Sequence, residues 1–169
     1  MNSTGKENLN PDRLKLRKVA LGSPSGFLAF GFGSGLSPFA PGTMGTLVAV
    51  PFIFALRALG EPGFWIALFL LFLLGVFVCE HVSRKLGVHD HGGIVWDEML
   101  GYWLSAAFIP LQWHWLLAAF LLFRFFDIVK PWPIRQLDSK VSGGFGIMID
   151  DVVAALFTIV VLAVVQNIR

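Results

Sequence analysis

The stretch R-F-F-D-I-V-K-P-W-P-I-R-Q-L-D-S-K-V-S-G-G-F-G-I-M-I-D-D, at residues 124–151, lies between two strongly apolar segments. It contains four of the chain's eleven acidic residues, four of its thirteen basic residues, two prolines and three glycines. The apolar flanks predict helices, and the charges between them predict a loop held at one end of those helices. So much charge in an otherwise apolar chain indicates a site for a charged ligand.

The composition is typical of an integral membrane protein of one domain. Of 169 residues, 56% are hydrophobic and 14% charged, and the mean hydropathy is +0.72. Soluble domains have about 25% charged residues. We therefore predict an all-α, polytopic membrane bundle of about four to five apolar helices with a polar site at its cytoplasmic rim. The apolar stretches are 46–59, 64–79, 99–109, 116–129 and 152–165, with turns at 60–63 and 110–115.

Several of these stretches are short for a membrane span. About 14–17 helical residues extend about 21–25 Å, against a hydrocarbon core of about 30 Å. The third stretch is the weakest independent span, and a shallow or re-entrant hairpin with the fourth is an open alternative. The single cysteine, Cys79, excludes a disulfide within the chain.

The first twenty residues form a polar, basic segment, with five Lys or Arg residues before position 19. By the positive-inside rule this segment lies in the cytoplasm. We expect a disordered tail at 1–20 that touches anionic lipid headgroups, followed by a single membrane-embedded domain at 21–169.

The stretch at 26–46 alternates glycine, proline and hydroxyl residues with aromatics, which disfavours a continuous helix. It is either a plain glycine-rich turn or a cradle that binds phosphate through backbone N–H groups. In the second case the hydroxyls of Ser34, Ser37, Thr43 and Thr46 are the candidate phosphate donors.

Acidic residues recur where apolar stretches meet polar turns. Asp97-Glu98 and Asp150-Asp151 each head an apolar stretch, and Asp127 ends another. One explanation is the helix dipole, which favours an acid in a first turn by about 0.3–1 kcal/mol. Repetition on one predicted membrane face favours a shared divalent cation instead, because Mg²⁺ prefers carboxylate oxygens. The predicted metal ligands are Asp97, Glu98, Asp127, Asp150 and Asp151.

Basic residues lie beside these acids. Arg124 and Asp127 share a helix face, so they form either an ion pair at the rim or part of a phosphate site. Lys130 and Arg135 flank Pro131-Trp132-Pro133, which restricts the local chain. Cations held beside carboxylates predict phosphate binding, with Arg124 and Arg135 as substrate contacts. The His89-Asp90-His91 run is better explained as a solvated turn than as a zinc site.

Four ordered blocks resemble the phosphatidylglycerophosphatase A family of bacterial membrane lipid phosphatases. They are G-F-G-S-G-L-S-P-F-A-P-G-T-M-G-T-L at 31–47, I-V-W-D-E-M-L-G-Y-W at 94–103, F-R-F-F-D-I-V-K-P-W-P-I at 123–134 and G-G-F-G-I-M-I-D-D at 143–151. The first twenty residues lie outside the resemblance. Trp96 replaces the family's usual aliphatic residue before the acid pair.

The resemblance implies a Mg²⁺-dependent phosphomonoester hydrolase of the bacterial inner membrane. Its substrate would be phosphatidylglycerophosphate, a membrane phospholipid, and its product phosphatidylglycerol. Water, or a carboxylate that forms an aspartyl phosphate, would attack the phosphorus. No nucleic acid partner is expected, and the oligomeric state stays open. The predicted catalytic residues are Asp97, Glu98, Asp127, Lys130, Asp150 and Asp151.

Two other functional classes remain. A small cation transporter or channel would use acids along a path through the membrane. Clustering of the acids on one side, mixed with cations, disfavours that class. A structural membrane scaffold would not need the paired acids.

Overall fold

The computed structural model describes residues 11–168, which form nine α-helices, one 3₁₀ turn at Gly31–Leu36 and no strand. The predicted all-helical class is therefore confirmed. The helices are α1 Pro11–Leu21, α2 Pro24–Ala29, α3 Pro41–Ala49, α4 Phe52–Arg57, α5 Gly60–Leu86, α6 Trp96–Ser105, α7 Trp113–Val129, α8 Ile134–Lys140 and α9 Gly143–Asn167.

The basic segment is not a disordered tail over its second half. Residues 11–21 form α1, which packs against α2, against the 3₁₀ turn and against α5. Ala20 is fully buried and anchors the end of α1. The expectation of disorder is wrong for residues 11–20, and its first ten residues lie outside the described part.

The glycine-rich stretch contains short helices separated by sharp turns, so the absence of a continuous helix is confirmed. Phe32 (φ 59°) and Gly33 (φ 94°) have left-handed backbone conformations that interrupt the 3₁₀ turn. The next apolar stretch is two helices rather than one, because the chain kinks at Val50 and Pro51. Proline cannot continue a helical hydrogen-bond ladder from its own nitrogen.

The turn predicted at 60–63 is instead the beginning of α5. The chain bends just before it, at residues 58–59, and Gly60 adopts a positive φ of 73°. Pro62 fits the first turn of α5, where its missing N–H has no helical acceptor to lose. The turn at 110–115 is likewise shorter than predicted, because α7 already begins at Trp113.

The largest correction concerns α9. The sequence predicts a loop at the glycines 143, 144 and 146, with Asp150 and Asp151 heading the next helix. These glycines form the first turns of α9 instead, so both acids lie two turns inside it. The helix dipole explanation therefore does not apply to Asp150 and Asp151. It applies to Asp97 and Glu98, which do lie in the first turn of α6.

Two helices within residues 11–168 are long and apolar enough to cross a membrane, namely Gly60–Leu86 and Gly143–Asn167. Only 28% and 44% of their most apolar windows are buried inside the protein. Pro41–Arg57 is a shorter apolar stretch. The prediction of four to five apolar helices is thus supported only in its coarser form.

The two ends of the helix bundle differ in chemistry. At one end the Arg57 guanidinium donates to the Ala107 carbonyl and lies 5.7 Å from the Phe64 ring centroid. Trp65 and Phe108 pack there with ring centroids 5.4 Å apart. At the other end, the Gly144 N–H donates to Glu80 Oε2, which joins the beginning of α9 to the last turns of α5. The predicted site residues of α6, α7 and α9 lie toward this second end.

Candidate active site

The crossing of α6 and α9 brings two of the predicted acid groups together. A Cβ on Gly101 would lie 3.3 Å from the Asp151 carbonyl oxygen and 2.5 Å from the Phe123 ring, so only glycine fits this crossing. Ala154 and Ala155, one turn beyond the acids of α9, are fully buried. Small residues therefore let the helices approach closely beneath the acids.

Three carboxylates converge at this crossing. Asp97, Glu98 and Asp151 each contribute one oxygen, and these oxygens lie within 4.8 Å of one another. We call these three residues the acid cluster. Asp127 and Asp150 act on Asp151 electrostatically from the neighbouring positions. The cluster thus combines acids about fifty residues apart in the sequence.

Burial leaves this cluster short of partners. Asp97 is 7% exposed and Asp151 is 2% exposed. Asp97 Oδ1, Glu98 Oε2 and Asp151 Oδ2 have no hydrogen-bond partner among the described residues. Burial raises the pKa of Asp97 well above its usual range and the pKa of Glu98 to about 7, the neighbouring Asp127 adding to the latter. A cation among these oxygens would remove most of that cost.

Arg124 of α7 joins the cluster from the side. Its Nη1 lies 2.5 Å from Asp127 Oδ2 and 3.5 Å from Glu98 Oε1. The ion pair between Arg124 and Asp127, one of the two alternatives left open by the sequence, is present, and the contact with Glu98 extends it to α6. The guanidinium is largely buried, with 13% of its side chain exposed, and its Nε has no partner among the described residues. It is a fixed positive charge with hydrogen-bonding capacity to spare.

Lys130, in a left-handed conformation at the end of α7, carries a second positive charge. Its Nζ lies 2.7 Å from Asp150 Oδ2 and 3.0 Å from Asp138 Oδ1. Burial lowers the pKa of Lys130, but the Asp150 and Asp138 carboxylates outweigh burial and raise it overall. Lys130 is therefore charged near neutral pH. The buried Asp150 Oδ1 has no hydrogen-bond partner among the described residues, and Asp150 is not one of the three carboxylates of the acid cluster.

The beginning of α3 approaches the acids from the glycine-rich stretch. A Cβ on Gly42 would lie 2.1 Å from Glu98 Oε1 and 3.0 Å from the Arg124 guanidinium nitrogens. Gly42 thus keeps the first turn of α3 against both charged groups. The N–H groups of a first helical turn have no helical acceptor, so they are free to donate to a phosphoryl oxygen.

The predicted hydroxyl donors are mostly engaged within their own backbone. Ser34 donates to the Gly31 carbonyl at 2.8 Å, Ser37 to the Phe39 carbonyl at 2.9 Å, and Thr46 to the Gly42 carbonyl at 2.9 Å. These bonds stabilise the turns that carry Gly42. Thr43, in the first turn of α3, has no such bond within the described residues. The role of all four hydroxyls in phosphate binding stays a prediction.

Other predicted residues lie outside the charged centre or at its edge. Arg135 is exposed on α8, with no ion pair to the acids within residues 11–168. His89 accepts a hydrogen bond from the Gly143 N–H at 3.1 Å, which indicates a structural role. Asp90 interacts electrostatically with Lys130 and Asp138, so it joins the rim of the site. Sequence reasoning missed the contact of Gly42 with Glu98 and the ion pair of Lys130 with Asp138, because neither contact has a spacing signal.

This arrangement combines a buried cluster of hard oxygen ligands with two fixed cations and a helix N-terminus. Carboxylate oxygens suit Mg²⁺, and Arg or Lys beside them suits phosphate oxygens. Carboxylates that can hold a metal ion, next to cations that can bind phosphate, are a combination suited to phosphoryl chemistry.

Comparison with known proteins gives one family. The family model described as "PgpA: Phosphatidylglycerophosphatase A" matches residues 27–166. The chain is 51% identical to phosphatidylglycerophosphatase A of Haemophilus influenzae, over 89% of this chain and 94% of the relative. It is 45% identical to phosphatidylglycerophosphatase A of Escherichia coli, over 83% of each chain.

A third relative carries a different name. A protein of Bacteroides thetaiotaomicron, provisionally named a phosphatidylinositol-3-phosphatase, is 39% identical over 80% of this chain and 89% of its own length. No solved structure matches the chain significantly.

Proposed function

This chain belongs to the phosphatidylglycerophosphatase A family, and we propose that it hydrolyses the terminal phosphomonoester of phosphatidylglycerophosphate to phosphatidylglycerol and phosphate. The observation that carries the proposal is the acid cluster with Arg124 beside it. Together they offer ligands for a divalent cation and a fixed charge for a phosphoryl group. The substrate is a membrane phospholipid, in keeping with the two long apolar helices.

The residues of the cluster fit Mg²⁺. Each of the three carboxylates has one buried oxygen without a hydrogen-bond partner among the described residues, and such oxygens suit a hard cation. Asp97, Glu98 and Asp151 would hold the ion, with Asp127 and Asp150 as the further predicted ligands. When bound, Mg²⁺ supplies neutralisation of charge on the phosphoryl oxygens and lowers the pKa of coordinated water.

The protein's own groups position and stabilise the reacting phosphate. Arg124, fixed by Asp127 and Glu98, neutralises charge that develops on the phosphoryl oxygens. Lys130, held by Asp150 and Asp138, provides a second positive charge for the phosphoryl oxygens. The first turn of α3 adds N–H donors next to Gly42. Arg135, as a substrate phosphate contact, would have to reach the site from the exposed face of α8.

For the attacking group we propose water, from which a carboxylate next to the acid cluster takes the proton. Asp150 is suited to that role because Oδ2 is held by Lys130 while Oδ1 has no partner among the described residues. The alternative is attack by a carboxylate, which forms an aspartyl phosphate. Quenching during turnover with labelled substrate distinguishes the two, since only the second leaves phosphate on the protein.

The proposed location is the bacterial inner membrane, crossed several times, with the site facing the cytoplasm. The basic helix α1 supports this orientation, because Lys and Arg residues next to membrane segments favour the cytoplasmic side. The shorter apolar stretch Pro41–Arg57 and the helix α7 would complete the bundle beside the two long helices.

Phosphate release by the purified protein from phosphatidylglycerophosphate in detergent micelles tests this function. We expect release with Mg²⁺ and loss of release with a chelator. The variants Asp97→Asn, Asp127→Asn and Asp150→Asn should each lower turnover by about a hundredfold, because each removes charge from the site.

The matched control is Glu61→Gln, which removes a carboxylate from the beginning of α5, away from the acid cluster. Glu61 is exposed and accepts a hydrogen bond from Trp65 Nε1. This variant should retain full turnover. Near-normal turnover in all three Asp→Asn variants would overturn the assignment, and release that is indifferent to the chelator would overturn the role of the metal.

A further inference from the structure

A cavity of about 470 Å³ lies beside the acid cluster, and its lining contains none of the acids of the site and neither Arg124 nor Lys130. Its walls include Arg13 and Arg17 of α1, Ser37 and Pro41 of the glycine-rich stretch, and His91 and Gly93 before α6. We call it the arginine cavity. Small-molecule sites have volumes of about 300–1,000 Å³, so it is large enough for a lipid headgroup.

The polar groups of the arginine cavity favour an anion. Arg13 and Arg17 are four residues apart on α1 and therefore share a helix face. No acidic residue between 11 and 168 lines the cavity, and no described residue pairs with either guanidinium. His91 Nδ1 accepts the Gly93 N–H at 3.0 Å, so the proton of the neutral ring is on Nε2 and can be donated.

The arginine cavity and the acid cluster share a wall. Pro41 lines the cavity, and the next residue, Gly42, contacts Glu98 and Arg124. Consecutive Cα atoms are about 3.8 Å apart, so one residue separates the two sites along the chain. On the opposite wall, Gly93 lies only four residues before Asp97. One headgroup with two anionic groups can therefore span both sites.

We propose that the arginine cavity binds the phosphodiester of the lipid substrate while the terminal phosphomonoester lies at the acid cluster. The inference rests on the proposed function, whose substrate carries these two phosphates separated by one glycerol unit. Arg13 and Arg17 can donate to the two non-bridging oxygens of a diester, because guanidinium groups bind phosphate oxygens in pairs. The cavity thus selects lipids that have a diester in addition to a terminal phosphate.

Arg13 and Arg17 lie outside the 27–166 family match, so this part of the site belongs to the region that precedes the shared domain. The two residues are positioned by α1, which packs on α2 and on the 3₁₀ turn. Their proposed role is binding, without contact to the reacting phosphorus.

The test compares two double variants of the full-length protein. Arg13→Gln/Arg17→Gln removes both guanidiniums, and Lys15→Gln/Lys18→Gln removes two charges from α1 that do not line the cavity. The first measurement is calorimetric binding of a short-chain phosphatidylglycerol, which has the diester and no terminal phosphate. We expect about tenfold weaker binding in the arginine variant and less than about twofold change in the lysine variant.

The second measurement is phosphate release from phosphatidylglycerophosphate. The arginine variant should show a KM about tenfold higher with kcat within about twofold of the wild type, because the lost contacts hold the substrate equally before and during reaction. Loss of all turnover in the wild type would remove the proposed function, whereas the binding measurement would still decide whether the cavity takes a diester.

Three outcomes overturn the inference. Unchanged diester binding in the arginine variant shows that the cavity is not the site. Equal weakening in both variants shows a general attraction of α1 to anionic lipid. Weaker binding of inorganic phosphate in the arginine variant, with diester binding intact, shows a site for free phosphate.

Discussion

Buried carboxylate oxygens without a hydrogen-bond partner among the described residues lower the stability of the site. Glu98 shows this most clearly, because one oxygen faces Arg124 at 3.5 Å and the other is buried without a partner among the described residues. A buried carboxylate without a partner is costly unless it is protonated or binds a cation. The protein therefore carries local instability at the place where we propose that the metal binds.

The metal-free protein should become less stable as pH rises from about 4.5 to about 7. Burial raises the pKa of Glu98 from 4.5 to about 7, so the folded state keeps a proton that the unfolded state has released. That stability is present below pH 4.5 and is lost as pH rises through 7. Glu98→Gln has no such proton. Between pH 4.5 and pH 7, the free energy of unfolding of this variant should therefore fall by about 2 kcal/mol less than that of the wild type.

Thermal unfolding in a chelator, measured between pH 4.5 and pH 8, checks this expectation. Adding Mg²⁺ at pH 8 should restore stability to the wild type more than to the variant, since a ligand stabilises only the state that binds it. Parallel pH profiles for the two proteins would contradict the role given to Glu98.

At the level of elements, the contact of α5 with α9 places the acids of α9. A Cβ on Gly144 would lie 1.9 Å from the Val76 carbonyl oxygen, and one on Gly75 would lie 2.6 Å from Met148 Sδ. The Gly144 N–H donates to Glu80 Oε2 at 2.6 Å. The backbones of the two helices therefore touch over the first turns of α9. This contact fixes the position of Asp150 and Asp151 along the axis of α5.

Gly144→Ala should destabilise the protein by about 2 kcal/mol, because the added methyl meets backbone that cannot move aside. Turnover should fall as well, since α9 must shift together with its two acids. The control for stability is Gly92→Ala, whose Cβ would meet no atom within 4 Å. Denaturant unfolding checks both variants and phosphate release checks Gly144→Ala, and an unchanged Gly144→Ala protein would show that the helices are not locked at this contact.

For the whole molecule, the two ends of α7 indicate which end of the helix bundle faces the cytoplasm. Gln112 and Lys130 lie at opposite ends of α7, whose 17 residues extend about 25 Å. The ion pair between Lys130 and Asp138 attaches α8 to the acid end. Exposed residues of α8 should therefore lie on the cytoplasmic side, and Gln112 on the other side.

Cysteine labelling checks this orientation. In a Cys79→Ala background, which removes the single, buried cysteine, Ser139→Cys and Gln112→Cys each place one thiol at an exposed position. A membrane-impermeant maleimide should label Ser139→Cys only in inside-out vesicles, and Gln112→Cys only in intact spheroplasts. Labelling of both from one side would show that α6 and α7 form a re-entrant hairpin.

Sequence alone determined the features that depend on composition and on ordered motifs. Apolar stretches separated by charged turns gave the all-helical class, and four blocks gave the family. The convergence of Asp97 with Asp151 was also predictable, because buried acids are costly unless they gather at one polar place. The Arg124 and Asp127 pair followed from helical spacing.

Only the tertiary structure decided where α9 begins and which of the acids meet in the acid cluster. Glycine costs about 1 kcal/mol relative to alanine within a helix, so the run at 143–146 predicts a loop. Close contact with α5 compensates that cost, and such contact depends on a partner helix far away in the sequence. Tertiary contacts also decide that Asp150 pairs with Lys130, whereas Asp151 joins Asp97 and Glu98 in the acid cluster. They also assemble the arginine cavity from α1, residues 35–41 and residues 91–93, which no local pattern connects.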